Sequence, residues 1–74
     1  MKITVKLFAT LRDGRFEEEL RQYRPQATIG QVLEDLDIPE TDVKIICVNN
    51  RHAKLDRKLR DGDVLGLFPP IGGG

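Results

Sequence analysis

The chain has 74 residues, with hydrophobic residues at 39% and charged residues at 32%, and twelve acids balance twelve bases. A chain of this length supports one core, and a balanced global charge gives no pull toward nucleic acid or a membrane surface. A single cysteine excludes an internal disulfide framework and any multi-cysteine metal site, and the longest apolar run, Ile45 to Val48, is far too short to cross a bilayer.

From Lys2 to Phe8 the sequence alternates, with Ile3, Val5 and Leu7 on one side and Lys2, Thr4 and Lys6 on the other, which predicts a half-buried strand. The same start reads as a strand and not as a signal peptide, so the expected compartment is the cytoplasm. Asp13-Gly14 marks a turn. Phe16 to Tyr23 is the second predicted strand, with Phe16 and Leu20 as its apolar anchors and Glu17-Glu18-Glu19 keeping its edges polar. After Pro25 a helix is expected. Thr28 and Gln31 have capping-box spacing, and Ile29, Val32, Leu33 and Leu36 form one apolar stripe that stops before Pro39.

Lys44 to Val48 is apolar at consecutive positions and is expected to be a central strand. Asn49-Asn50 suits a tight hairpin returning through Arg51 to Ala53. Leu55 and Leu59 lie in a basic connector with room for a short helical turn, and Asp61-Gly62-Asp63 leads into a last strand, Val64 to Phe68. The order strand, strand, helix, strand, short strand, strand predicts an α+β fold: a sheet with one face packed by one main helix. Pattern alone leaves open whether the first and last strands pair parallel or antiparallel.

The charges are segregated. Glu34, Asp35, Asp37, Glu40 and Asp42 follow one another with no base between them, whereas Arg51, Lys54, Arg57, Lys58 and Arg60 are accompanied only by Asp56. Such runs read as solvated surfaces or as a polar rim that orients a protein partner.

Side chains suggest no conventional active site. Cys47 sits within Ile45-Ile46-Cys47-Val48, where a thiol is expected to act as a small buried hydrophobe, and His52 has no second histidine to complete a metal site or a triad. Gly14, Gly30, Gly62 and Gly66 are too dispersed for a phosphate-binding loop. Attention falls on "LFPPIGGG", Leu67 to Gly74. Pro69 and Pro70 fix φ and favour a stiff exit from the last strand, and Gly72, Gly73 and Gly74 lack the Cβ that would bar a narrow channel. With the α-carboxylate of Gly74 ionised at neutral pH, the tail can present an acyl group to another protein's active site. An inert Gly-rich end is the other reading. The division expected is a domain over residues 1–68 and a flexible glycine tail over 69–74.

"LFATLRD" at the end of the first strand and "DGDVLGLFPPIGGG" at the end of the chain resemble the MoaD/ThiS type of small sulfur-carrier proteins, and most specifically the small subunit of molybdopterin synthase. The resemblance covers essentially the whole chain. It implies a ubiquitin-like β-grasp fold, a mixed sheet with the first and last strands parallel at its centre. It implies adenylation of the terminal glycine by a ubiquitin-activating-like adenylyltransferase that uses ATP and Mg²⁺, with no cofactor or metal bound by this chain. Conversion to a thiocarboxylate and delivery of sulfur within a complex with the large synthase subunit would follow, in molybdenum or tungsten cofactor assembly. Carried onto this sequence, Gly74 is the activated residue and Gly73 completes the diglycine, although three glycines stand where the family pattern has two. Phe68, Pro69, Pro70, Ile71 and Gly72 form the aiming segment, and Phe8 and Arg12 match the partner face. The resemblance implies no catalysis by the chain alone. A carrier for thiamine thiazole or another metabolite, a ubiquitin-like protein modifier, and a non-covalent binding domain are the alternatives.

Overall fold

The computed structural model describes residues 1–70. The elements run β1 (Lys2–Leu7), β2 (Glu18–Gln22), α1 (Ile29–Asp35), β3 (Ile45–Val48), β4 (Arg51–His52) and β5 (Val64–Phe68), with 3₁₀ turns at Ala9–Arg12 and Glu40–Asp42. The strands form one mixed sheet in the order β2-β1-β5-β3-β4. β1 and β5 pair in parallel, and the other neighbours are antiparallel. That resolves the pairing direction left open by pattern and gives the β-grasp arrangement.

Period-two alternation sends Ile3, Val5 and Leu7 from β1, and Leu65 and Leu67 from β5, into a core where each is 0% exposed. Ile29, Val32 and Leu33 of α1 close that core from the same side, joined by Leu11, Ile38, Val48 and Leu59. The capping box is formed: Gln31 N donates to Thr28 Oγ1, and Thr28 N donates to Gln31 Oε1. The helix ends before Pro39 can act. Asp37 takes φ 56°, Ile38 N donates to the Leu33 carbonyl, and Asp37 N donates to that of Glu34. This is a Schellman closure with aspartate at the position that glycine usually holds.

Asn49 and Asn50 have φ of 53° and 68°, as the predicted two-residue hairpin requires. Four expectations are corrected. The second strand begins at Glu18, not Phe16, and Leu20 is no anchor. It pairs with Thr4 on the side away from the helix and is 63% exposed, whereas Phe16 packs on the core from the preceding loop. The connector holds no helical turn, because its backbone is bonded to the start of α1: Ile29 N donates to the Arg57 carbonyl, Gly30 N to that of Leu55, and Leu59 N to that of Ala27. β3 lies inside the sheet, but β5 is the central strand. On the core side of β3, Val48 is buried and Ile46 is partly buried against the core, whereas Ile45 and Cys47 lie on the uncovered face and are half-buried, so Cys47 is not the buried thiol expected.

Candidate functional site: the open face of the sheet

The face of the sheet opposite α1 is assembled by the same alternation. Register places Lys6 beside Gly66, Gly66 beside Cys47, Ile45 beside Phe68, and Cys47 beside His52, all turned away from the core. Toward β2 this face is polar, with Lys6 3.9 Å from Glu18. Toward the C-terminal ends of β1 and β5 it becomes aromatic.

Phe8 continues β1 by one residue, and its N–H donates to the Leu67 carbonyl at 3.2 Å. Its ring lies against that of Phe68 with centroids 4.2 Å apart and planes inclined by 5°. Gly66 is buried beneath the pair, where a Cβ would sit 3.6 Å from an edge carbon of each ring. Aromatic cover over a glycine in a strand restores the packing that its missing side chain leaves out.

Immediately after Phe8 the chain turns sharply at Ala9, φ 51°, into the 3₁₀ turn that buries Leu11. The turn brings Arg12 back, where its Nε donates to the Leu7 carbonyl at 2.7 Å and its guanidinium carbon lies 5.6 Å from the Phe8 ring centroid. Glu17 stands 3.6 Å from the same guanidinium. Arg12 is thus fixed at the edge of the aromatic pair, with its charge in solvent and its stem on the ring.

Phe68 is held by pairing with Ile45 and by the Lys44 N–H, which donates to its carbonyl at 2.8 Å. Pro69 follows half-buried and Pro70 exposed, so the chain leaves the sheet beside the stack. Of the residues singled out from sequence, Phe8, Arg12 and Phe68 come together and Pro69 and Pro70 adjoin them. The assignments to Ile71, Gly72, Gly73 and Gly74 lie outside the described residues. Sequence reasoning missed Gly66, Ile45 and Cys47 as parts of this surface. Their signal was parity, since each register pairing puts them on the side of Phe68.

This surface suits a partner with an apolar patch and an acceptor for Arg12: aromatic and arginine side chains are the ones enriched in interface centres. Among the described residues no group of three or more His, Cys, Asp or Glu could hold a metal ion. Among the same residues no helix is long and apolar enough to cross a membrane.

On the helix side, Arg21 bridges Glu19 at 2.6 Å and Asp35 at 3.3 Å, and the Tyr23 hydroxyl donates to Asp35 at 3.1 Å. Burial pushes the Tyr23 phenol above its ordinary range. The affinity of the Arg21 guanidinium for its proton is raised, chiefly by the neighbouring Tyr23 hydroxyl. The cluster ties edge strand β2 to the helix and borders an open depression of about 420 Å³ whose other walls are Arg24, Ala27, Gln31 and Glu34.

The ThiS family model matches residues 5–74. No curated protein matches the chain. Among solved structures, a Pyrococcus furiosus protein assigned as molybdopterin converting factor subunit 1 is 31% identical, with TM-score 0.77 over 96% of this chain and 99% of that one. The small archaeal modifier protein 1 of Haloferax volcanii is 27% identical, with TM-score 0.78 over 95% and 98%. The structure of a complex of subunits 1 and 2 of the molybdopterin-converting factor from Helicobacter pylori gives 25% identity and TM-score 0.67 over the full length of both chains. The match over nearly the whole length, together with the β-grasp sheet, shows that the chain belongs to the ThiS family, the MoaD/ThiS type of ubiquitin-like sulfur carrier.

Proposed function

We propose that this chain carries sulfur for molybdopterin-type cofactor assembly, as the small subunit of a two-subunit synthase that is not catalytic by itself. The observation that carries the reading is the placement of the Phe8–Phe68 stack and Arg12 on the uncovered sheet face, beside the point where the chain departs through Pro69 and Pro70. A large subunit docking on that patch receives the following residues as part of the same contact. Similarity to one subunit of the Helicobacter pylori complex supports such a partner.

In this reading residues 1–68 are the docking domain and residues 69–74 the donor arm. An adenylyltransferase with ATP and Mg²⁺ joins the Gly74 carboxylate to AMP and releases pyrophosphate. A sulfur nucleophile then displaces AMP, leaving a thiocarboxylate, a softer and stronger nucleophile than the carboxylate it replaces. Gly73 and Gly72 give the thin backbone that such a channel requires. The work is done in the cytoplasm, where ATP is at hand.

Intact mass spectrometry tests it. Incubation with the activating enzyme, ATP and a sulfur source is expected to raise the mass by the difference between sulfur and oxygen, and deletion of Gly73-Gly74 to abolish that rise. A full-length mass that never changes refutes the reading. Similarity to an archaeal modifier protein favours a second reading, conjugation through the same glycine to lysines of other proteins. Blots of cell lysate would then show a ladder of heavier species in place of one band.

A further inference from the structure

The five cations of the connector remain outside the reading above. Arg51, Lys54, Lys58 and Arg60 are exposed and Arg57 is half-buried. None of them belongs to any of the four ion pairs among the described residues, which use Lys6, Arg12 and Arg21. The nearby acids do not neutralise them by contact. Asp61 accepts from Lys2 N, Asp63 is buried and accepts from Asn49 Nδ2 and Arg60 N, and Asp56 forms no ion pair.

Their setting is rigid and electrostatically adverse. Arg57 and Leu55 supply carbonyls to the first N–H groups of α1, Lys58 bridges Thr28, and Lys58 Nζ meets Gln26 Oε1 at 3.3 Å. Arg57 and Lys58 therefore adjoin the positive end of the helix, while Glu34 and Asp35 occupy its negative end; its first turn holds no acid and its last turn no base. Helix stability would place these charges the other way round. Arg51 pairs with Val48 beside Leu65 near the start of β5, whereas Ala53 N donates to the Ile46 carbonyl beside Leu67, so the ridge follows the β4 edge of the sheet and is separated from β5 and Phe68 by β3.

We infer that residues 51–60 form a second docking surface, for an acidic patch of a partner protein, along the edge of the sheet formed by β4 and the connector that follows it. A protein is favoured over nucleic acid by three features. The ridge contains no Phe, Tyr or Trp on which a base could stack; the chain has no net charge; and Glu34, Asp35, Asp37, Glu40 and Asp42 would repel a long polyanion that ran past the ridge. Charge contacts of this kind orient an encounter and set its salt dependence. The inference is independent of the sulfur chemistry.

The test is an amide-shift titration of the isotope-labelled full chain with a deca-glutamate peptide. Ten-base-pair duplex DNA and phosphatidylserine vesicles are titrated in parallel. Peptide-induced shifts should gather in residues 51–60 and at Ile29 and Gly30, and fade as salt is raised. Lys54→Glu with Lys58→Glu should weaken peptide binding by about tenfold or more, since each reversal replaces an attraction with a repulsion. The charge-matched Lys6→Glu with Arg15→Glu should leave it within about twofold, as sites distant from the contact behave independently. Both variants alter exposed or half-exposed side chains, so an unchanged amide spectrum elsewhere checks the fold. The inference is overturned if the peptide leaves residues 51–60 unshifted, if both variants lose binding equally, or if the duplex or the vesicles bind this ridge more tightly than the peptide.

Discussion

If the aromatic pair is an interaction in its own right and not two separate covers for Gly66, a double-mutant cycle on Phe8 and Phe68 must show coupling. The rings are 4.2 Å apart and nearly parallel. With ring planes at ordinary carbon contact, about 3.5 Å, that separation implies a lateral offset of roughly 2 Å, the favourable stacked geometry. Each half-buried ring withdraws on the order of 100 Å² from water, an area worth about 2 kcal/mol. The stack adds about 1 kcal/mol beyond area, and either truncation removes all of it, so each single truncation to alanine is expected to cost about 3 kcal/mol. Phe8→Ala with Phe68→Ala should therefore cost about 5 kcal/mol, not the 6 of simple addition.

A domain of this size has a total stability of about 4–11 kcal/mol, so the three variants are compared by urea unfolding followed by far-UV circular dichroism, in a stabilising osmolyte that keeps the double variant folded. Additivity within about 0.3 kcal/mol would show that the rings act separately. A double variant costing more than the sum would mean that one ring takes over the cover of Gly66 when the other is removed. Either result refutes the preformed pair.

Two further outcomes are expected. Tyr23 is the only tyrosine and there is no tryptophan, so phenolate absorbance reports that residue alone; its midpoint should lie above 10 and fall in Asp35→Asn. Because the folded value is the raised one, this stabilisation is complete below the unfolded value, about 10, and is lost as pH rises through the folded value. Asp37→Gly should stabilise the protein by about 1 kcal/mol, raising Tm by roughly 4–8 °C in a thermal melt, because aspartate at φ 56° is strained and its charge opposes the helix dipole.

What could be read in advance followed from local rules. The alternation of β1, the Thr28–Gln31 capping box and the Asn49-Asn50 hairpin are set by neighbours a few residues apart, and each is present as expected. Leu20 was misread because an apolar residue in a strand identifies no face until its register partner is known, and Thr4 is that partner. The connector from Leu55 to Leu59 was misread for a related reason: its carbonyls are taken by Ile29 and Gly30, donors some 25 residues away that no local pattern reveals. The closure at Asp37 lacks the usual glycine signal. At the candidate site, Phe8 and Phe68 were found by motif, but Gly66 beneath them and Ile45 and Cys47 beside them needed the pairing of three strands.

The open face also explains why the tail leaves the sheet where it does. A short chain with α1 as its helical layer covers only one side of five strands, so the other side must be polar or kept for a partner. Here it is divided. Lys6 and Glu18 make the β1–β2 half polar, and the apolar half gathers at Phe8, Gly66, Phe68 and Ile45. Phe68 belongs both to that patch and to the last turn of chain before Pro69. A partner that buries the aromatic pair therefore takes up the start of the tail in the same act, and six residues beyond Phe68 can reach at most about 20 Å. A partner site farther from the docking patch than that cannot be served by Gly74, which makes the distance between the two a geometric requirement on any enzyme that uses this chain as a donor.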